Sequence, residues 1–197
     1  MADTYLTLDS PSEAIFREKM SKFLAFAHPA TTVEEAKAVI ATYQKKYFDA
    51  RHVCWAYMLG FERTNFQSND NGEPSGTAGK PILGQINSFN LTDVVIVVVR
   101  YFGGIKLGTS GLIAAYREAA RMAIEEGAIV ERKVMKQITY TFPYLAMNDV
   151  MRLIKQVQPD ILAQQFDNAC SMTIAVRADD HGTIVARLSD IDGVSII

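Results

Sequence analysis

Hydrophobic positions change their period several times along this 197-residue chain, and each change marks an element. Residues 12–29 read as two β segments, the second built on Phe23-Leu24-Ala25-Phe26-Ala27 and ended by Pro29. Thr32 and Glu35 then have the spacing of a capping box, in which hydroxyl and carboxylate satisfy orphan backbone N–H groups. Behind it Ala36, Val39, Ile40, Tyr43 and Tyr47 recur at helical spacing, which predicts an amphipathic helix over 33–48. His52 to Leu59 is aromatic and almost wholly apolar, as a strand buried on both faces would be, and Val94 to Val99 is a β-branched central strand. A short helix is expected from Pro81, because proline suits the first helical position. A longer one runs from Gly108-Thr109-Ser110-Gly111 to Glu126, with Leu112, Tyr116, Ala119, Ala120 and Ala123 as its apolar face. Gly127 follows, where a left-handed cap belongs.

A second pattern begins near Lys133. Ile138, Tyr140 and Phe142 alternate with Gln137, Thr139 and Thr141, as in a half-buried strand. Met147, Val150, Met151 and Ile154 mark a helix stopped by Pro159. Strands follow at 161–166 and 172–176 around Asp167-Asn168-Ala169. Asp180 then caps a helix with Ile184, Val185 and Leu188 inward, and 194–197 is a last strand. The order βαββαβ is the split βαβ of ferredoxin-like domains. The chain is therefore expected to be an α+β protein of two domains, 1–132 and 133–197, with no flexible Gly/Ser linker between them.

Composition narrows the class. Apolar residues make up 49% and charged residues 21%, which suits a folded domain and excludes a disordered or fibrous chain. Lys plus Arg number 20 against 22 Asp plus Glu, so any attraction for nucleic acid has to be local. Cys54 and Cys170 stand far apart in apolar surroundings without a CxxC, and read as free buried thiols of a reducing compartment. Met1-Ala2-Asp3-Thr4-Tyr5 shows neither a basic n-region nor an h-region. The longest apolar run falls far short of the ~20 residues a membrane span needs. A cytoplasmic protein with no membrane partner is the expectation.

Candidate chemistry concentrates in two glycine-rich loops. Asn69 to Pro81 holds three Gly and two Pro in thirteen residues, so its backbone has to take unusual angles around Gly72, Glu73, Pro74, Ser75, Gly76 and Thr77. It is not a Walker A loop: Gly79-Lys80 fits the end, but Pro74 replaces the leading glycine and Pro81 the metal-binding hydroxyl. Nor does 103–111 contain the GxGxxG of a dinucleotide site. What remains there is a strand, a Gly103-Gly104 turn, Lys106 and a helix start. Backbone N–H groups at a helix start attract an anion, and Gly104 and Gly108 let one approach closely. Lys80, Arg100, Lys106, Arg117 and Arg121, with Thr109 and Ser110, complete a candidate anion or nucleic-acid site. From Arg100 to Arg121 four cations face a single acid, Glu118. A plainer reading has Thr109 or Ser110 capping the helix and Arg121 paired with Glu125. Tyr101 and Phe102 have the chemistry to stack on bases, whereas Tyr116 belongs to the apolar stripe.

For nucleophilic catalysis the candidates are Ser75, with His52 as base and Asp70 as its orienter, although no GxSxG elbow surrounds Ser75. A lone histidine opening a buried strand is more often structural. His28, His52 and His181 lack ligand spacing, so neither a metal nor a cofactor is expected.

Asp70-Asn71-Gly72-Glu73-Pro74-Ser75-Gly76-Thr77-Ala78-Gly79-Lys80-Pro81-Ile82-Leu83 and Arg100-Tyr101-Phe102-Gly103-Gly104-Ile105-Lys106-Leu107-Gly108 closely resemble the signature of the IMPACT family. Ser21-Lys22-Phe23-Leu24 and His52-Val53-Cys54-Trp55-Ala56 are similar to its pattern, and the βαββαβ tail is similar to the C-terminal domain of bacterial members. The resemblance implies a first domain with the ribosomal protein S5 domain 2-like fold, and a second similar to the ferredoxin-like domains of elongation factor G. It also implies translational control, since eukaryotic members restrain the amino-acid-starvation kinase by competing for its activator. Asn71 stands where a second Asp is expected, and Ala114 where relatives often carry Arg. The leading expectation is a non-catalytic factor that binds RNA or a ribosomal surface and modulates translation, with a protein partner in translation control also implied. A hydrolase-like small-molecule enzyme using the same cleft, and a protein-interaction module of a stress response, are the alternatives.

Overall fold

The computed structural model describes residues 4–167 and 169–197. Met1 to Asp3, on which the leader reading partly rests, and Asn168, between the strands expected at 161–166 and 172–176, lie outside the described residues. The chain divides into two compact units, Tyr5–Arg132 and Lys133–Ile197 with Thr4.

The elements up to residue 133 are β1 (Thr4–Leu8), β2 (Ser12–Glu18), β3 (Ser21–Pro29), α1 (Val33–Lys46), β4 (His52–Leu59), β5 (Asn65–Asn69), α2 (Gly79–Ser88), β6 (Val94–Tyr101), α3 (Gly108–Glu125) and β7 (Ile129–Lys133). Five of the strands form an antiparallel sheet in the order β2-β3-β6-β4-β5. Central β6 serves two cores. Its Val94, Ile96 and Val98 pack with Ile82 and Ile86 of α2 and Leu112 and Tyr116 of α3. Its Val95, Val97 and Val99 pack with Ala36 and Ile40 of α1. With helices on both faces the strand has no polar side, which is why 94–99 shows no alternation. β1 pairs with β7 in a separate two-stranded sheet.

Several local expectations change. Thr32 Oγ1 accepts from Glu35 N at 3.1 Å, but the Glu35 carboxylate reaches back to Thr31 N, and α1 ends at Lys46. α2 starts at Gly79, before Pro81, because the Asp70 carboxylate accepts from the N–H groups of Ala78 and Gly79. Pro81 still lies in the first turn, where no intrahelical N–H bond is lost. Leu107 is the N-cap of α3 and no side chain caps it, so Thr109 and Ser110 stand inside the first turn. Gly127 is not left-handed; a Cβ there would lie 2.8 Å from Ser12 Oγ and 3.0 Å from Leu8 Cδ2, so its small size is what the packing needs.

The second unit runs β8 (Met135–Phe142), a 3-10 turn (Tyr144–Ala146), α4 (Met147–Val157), β9 (Asp160–Phe166), β10 (Cys170–Arg177), α5 (His181–Ser189) and β11 (Ser195–Ile196). Its sheet has the order β11-β8-β10-β9, antiparallel throughout, which is the ferredoxin-like arrangement. Ile138, Tyr140, Met172 and Ile174 pack with Val150 and Ile154 of α4 and Ile184 and Leu188 of α5. α4 stops on Gln158, left-handed at φ 51°, one residue before Pro159. Asp180 occupies the N-cap of α5 but its side chain makes no capping bond. Both units are α+β, and both cysteines are buried free thiols.

The backbone after β6 touches the β2–β3 turn so closely that a Cβ on Gly103 would lie 2.1 Å from the Met20 carbonyl carbon. Gly103→Ala is expected to lower the unfolding free energy by about 1–3 kcal/mol through overpacking. Gly84→Ala, inside α2 where a Cβ meets nothing within 4 Å, should raise it by about 0.5–1 kcal/mol. Urea unfolding of the two variants checks both; effects of the same sign would contradict the packing argument.

Candidate functional site

β4 and β6 run antiparallel with His52 opposite Arg100, so the register puts these two residues together at one end of the sheet. The loop after β5 folds back over that end. Asn71 Oδ1 accepts from Val53 N at 2.7 Å, and Cys54 Sγ donates to Asp70 O at 2.9 Å. His52 Nδ1 is 2.9 Å from Asn71 O; a carbonyl only accepts, so this nitrogen carries the hydrogen. The Asp70 carboxylate organises the rest of the loop. Its Oδ2 accepts from Gly76 N at 2.8 Å, and its Oδ1 from Ala78 N at 3.1 Å and Gly79 N at 2.8 Å. Gly72 and Gly76 supply left-handed backbone at φ 85° and 78°. Gly79 lets the loop pass the Asn69 backbone, which a Cβ would meet at 2.7 Å.

The loop turns Glu73 inward. Glu73 Oε1 accepts from Arg100 Nη1 at 2.7 Å and from the Tyr116 hydroxyl at 2.8 Å, and Oε2 lies 3.9 Å from His52 Nε2. The side chains of Glu73 and Arg100 are 3% and 7% exposed. The guanidinium carbon lies 5.6 Å from the ring centres of both Phe23 and Phe102. Burial pushes the Cys54 thiol up to about 12 and the Tyr116 phenol upward as well, so both stay protonated and inert at neutral pH. Burial also acts to raise the Asp70 carboxyl, but the N–H groups of Gly76, Gly79 and Ala78 and the Lys80 ammonium outweigh it and hold it below the usual range.

A cavity of about 330 Å³ opens over this network, lined among others by Arg51, His52, Arg100, Phe102, Lys106 and Thr109. Pro74 and Glu73 lie on its wall with Leu107 and Gly108, so the two glycine-rich loops meet. Other sequence candidates go elsewhere. Lys80, Arg117 and Gly76 line a separate groove, and Arg121 is held by Glu118 and Glu125. Gly104 is exposed at φ 88°, Ser110 is exposed in the first turn of α3, and Thr77 Oγ1 donates to Pro74 O. Ala114 lines a third depression, with Phe16 and Leu107.

The candidate triad is not assembled. Asp70 is bonded to backbone N–H groups and not to His52, and Ser75 is exposed with no bond to His52 among the described residues. Sequence reasoning gave Glu73 only a conformational role and missed Arg51 and the hydroxyl of Tyr116. A carboxylate between Gly72 and Pro74 was the available signal for an inward acid; Arg51 had none. Among the described residues no group of three His, Cys, Asp or Glu is placed to hold a metal ion, and no helix is long and apolar enough to cross a membrane.

These features define an α+β protein with a buried Glu–Arg pair under a basic cavity. The Impact N-terminal domain family matches residues 19–124, and the chain belongs to the IMPACT family. It is 34% identical to "IMPACT family member YvyE" of Bacillus subtilis, over 80% of this chain and 73% of that protein. It is 30% identical to "IMPACT family member YigZ" of Escherichia coli, over 95% and 93% of the two chains. A solved structure described as a hypothetical protein superposes with a TM-score of 0.79 at 27% identity, covering 100% of this chain and 98% of its own.

Glu73→Gln should lower the unfolding free energy by about 3–5 kcal/mol, because it strands the buried Arg100 charge. Adding Arg100→Met should recover most of that loss in denaturant unfolding; additive losses would mean that the pair is not the coupled unit. The Asp70 carboxyl is depressed in the folded state, so its stabilisation is present above the unfolded-state value of about 3.9 and is lost as pH falls through the folded value. Asp70→Asn should therefore flatten the acid limb of the stability curve below about pH 4. An acid limb as steep as that of the parent protein would contradict this.

Proposed function

We propose that the protein is a non-catalytic cytoplasmic factor that binds RNA or a ribosomal surface and modulates translation, using the face formed by loops 70–78 and 102–109. The observation that carries this reading is the position of Arg51 and Lys106, both exposed on one cavity beside the uncapped start of α3. The acid that lines the cavity with them, Glu73, is already bonded to Arg100. Lys80 and Arg117 add a second basic groove. In a chain of net charge −2, such local clusters are where a polyanion would be held. Of the residues a hydrolase would need, Asp70 is committed to backbone N–H groups and His52 Nδ1 to Asn71 O, which favours binding over turnover. Family membership is what supports the link to translation.

Three phosphate contacts on single-stranded RNA should give a log–log salt slope of about −2, at ~0.7 per contact. Lys106→Glu with Arg117→Glu should weaken binding and flatten that slope, while Ser75→Ala leaves it unchanged. An enzyme would behave in the opposite way, with Ser75→Ala abolishing a turnover that charge reversal only dents. No salt-dependent affinity for RNA or ribosomes at low ionic strength would overturn the reading.

A further inference from the structure

Resting on that reading, we propose that the cavity at the start of α3 takes a phosphate monoester borne by a nucleotide, at the end of an RNA or free, with the base stacked on Phe102. Shape comes first. About 330 Å³ lies at the lower end of the range for ligand pockets, enough for one nucleotide but not for a length of strand. The cations converge on this space rather than forming a track. Lys106 and Arg51 are exposed on it, while Lys80 and Arg117 lie in the separate groove. Neither Arg51 nor Lys106 makes an ion pair among the described residues.

An independent feature of the cavity is the guanidinium of Arg100. It is 7% exposed and lines the cavity, and its Nε has no hydrogen-bond partner while Nη1 is bonded to Glu73. Gly108, at φ 73°, and Thr109 bring the first turn of α3 to the same space, and no side chain caps that turn. Glu73 is the opposing charge on the wall, and Arg100 and Tyr116 already occupy its Oε1. His52 stands beside it, with Nδ1 held by Asn71 O. Two exposed cations and a helix start suit a dianion better than the single charge of a phosphodiester, and a terminal monoester carries close to two charges at neutral pH. The Phe102 ring is 53% exposed, lines the cavity and lies against Arg100, so a base stacked on it would sit above the phosphate.

The test uses one internally labelled single-stranded RNA prepared with a 5′-phosphate, a 3′-phosphate or hydroxyl ends, titrated with the full chain. At least one phosphorylated form should bind about tenfold tighter than the hydroxyl form. Lys106→Gln and Phe102→Ala, both at exposed side chains, should each reduce that preference. Competition with a nucleoside monophosphate identifies the source: displacement only at far higher concentration than the oligomer assigns an RNA end, and equal potency assigns a free nucleotide. Equal affinity for phosphorylated and hydroxyl RNA would overturn this inference and leave RNA binding standing. If no RNA binds, the proposed function fails, and calorimetry with the nucleoside monophosphate alone decides the cavity. Binding lost in Lys106→Gln upholds the phosphate site, and no binding overturns it.

Discussion

Taking a carboxylate and a guanidinium out of water costs several kcal/mol per ion, and the cost is met only when each finds the other in good geometry. Glu73 and Arg100 do so at 2.7 Å, and much of the first unit around them is arranged to make that contact. Arg100 ends the central strand on the side that carries Val94, Ile96 and Val98. A one-residue slip of β6 would turn it toward the α1 face, away from Glu73. Glu73 comes from a loop that cannot hold its shape unaided, so Asp70 gathers three of its N–H groups while glycines take the angles and contacts other residues would refuse. Strand register, loop conformation and the start of α2 are thereby tied to one ion pair.

The pair also sorts the cations of this face. Arg100 and Arg121 look alike in sequence, yet their availability differs by what surrounds them. Arg121 lies at the surface, 40% exposed, and its ion pairs, bidentate to Glu118 and single to Glu125, are open to solvent screening. A polyanion could draw it away at little cost. Removing Arg100 from Glu73 would leave two buried charges unpaired, so it stays put and works as the floor of the cavity. The exposed cations there are Lys106 and Arg51, and the proposed anion site rests on those two and on the start of α3.

The elements that packing dictates were readable. The unbroken run of β6, the period of α1 and α3 and the βαββαβ order all follow from which side chains must leave water, and a reader of the sequence can follow that. β1 and β7 escaped because both are short and few of their residues are buried, so their pairing leaves little trace in the pattern. Helix ends were misplaced where the partner was remote in sequence. The start of α2 depends on Asp70, and the need for Gly127 on Leu8 and Ser12, none of which a local motif reveals. The site was half legible for the same reason. The unusual composition of 69–81 announced a special loop, but that Asp70 would face its own backbone and Glu73 the interior depends on the His52–Arg100 register.

This bears on what the family signature encodes. Several of the residues that carry it serve the frame: Asp70 binds backbone, Gly72 and Gly76 set φ, Gly79 and Gly103 allow close approach, and Glu73 and Arg100 neutralise each other. Of the cavity's exposed cations, Lys106 lies within the signature strings and Arg51 just outside the His52 string. These positions of the signature therefore describe a frame held by internal bonds and close contacts. Such a frame would suit the proposed anion-binding site, because groups already fixed by internal bonds lose little entropy when a ligand arrives. In the proposed site, ligand preference would then be set by the few exposed side chains mounted on that frame, Arg51, Phe102 and Lys106, of which Arg51 and Lys106 make no ion pair among the described residues.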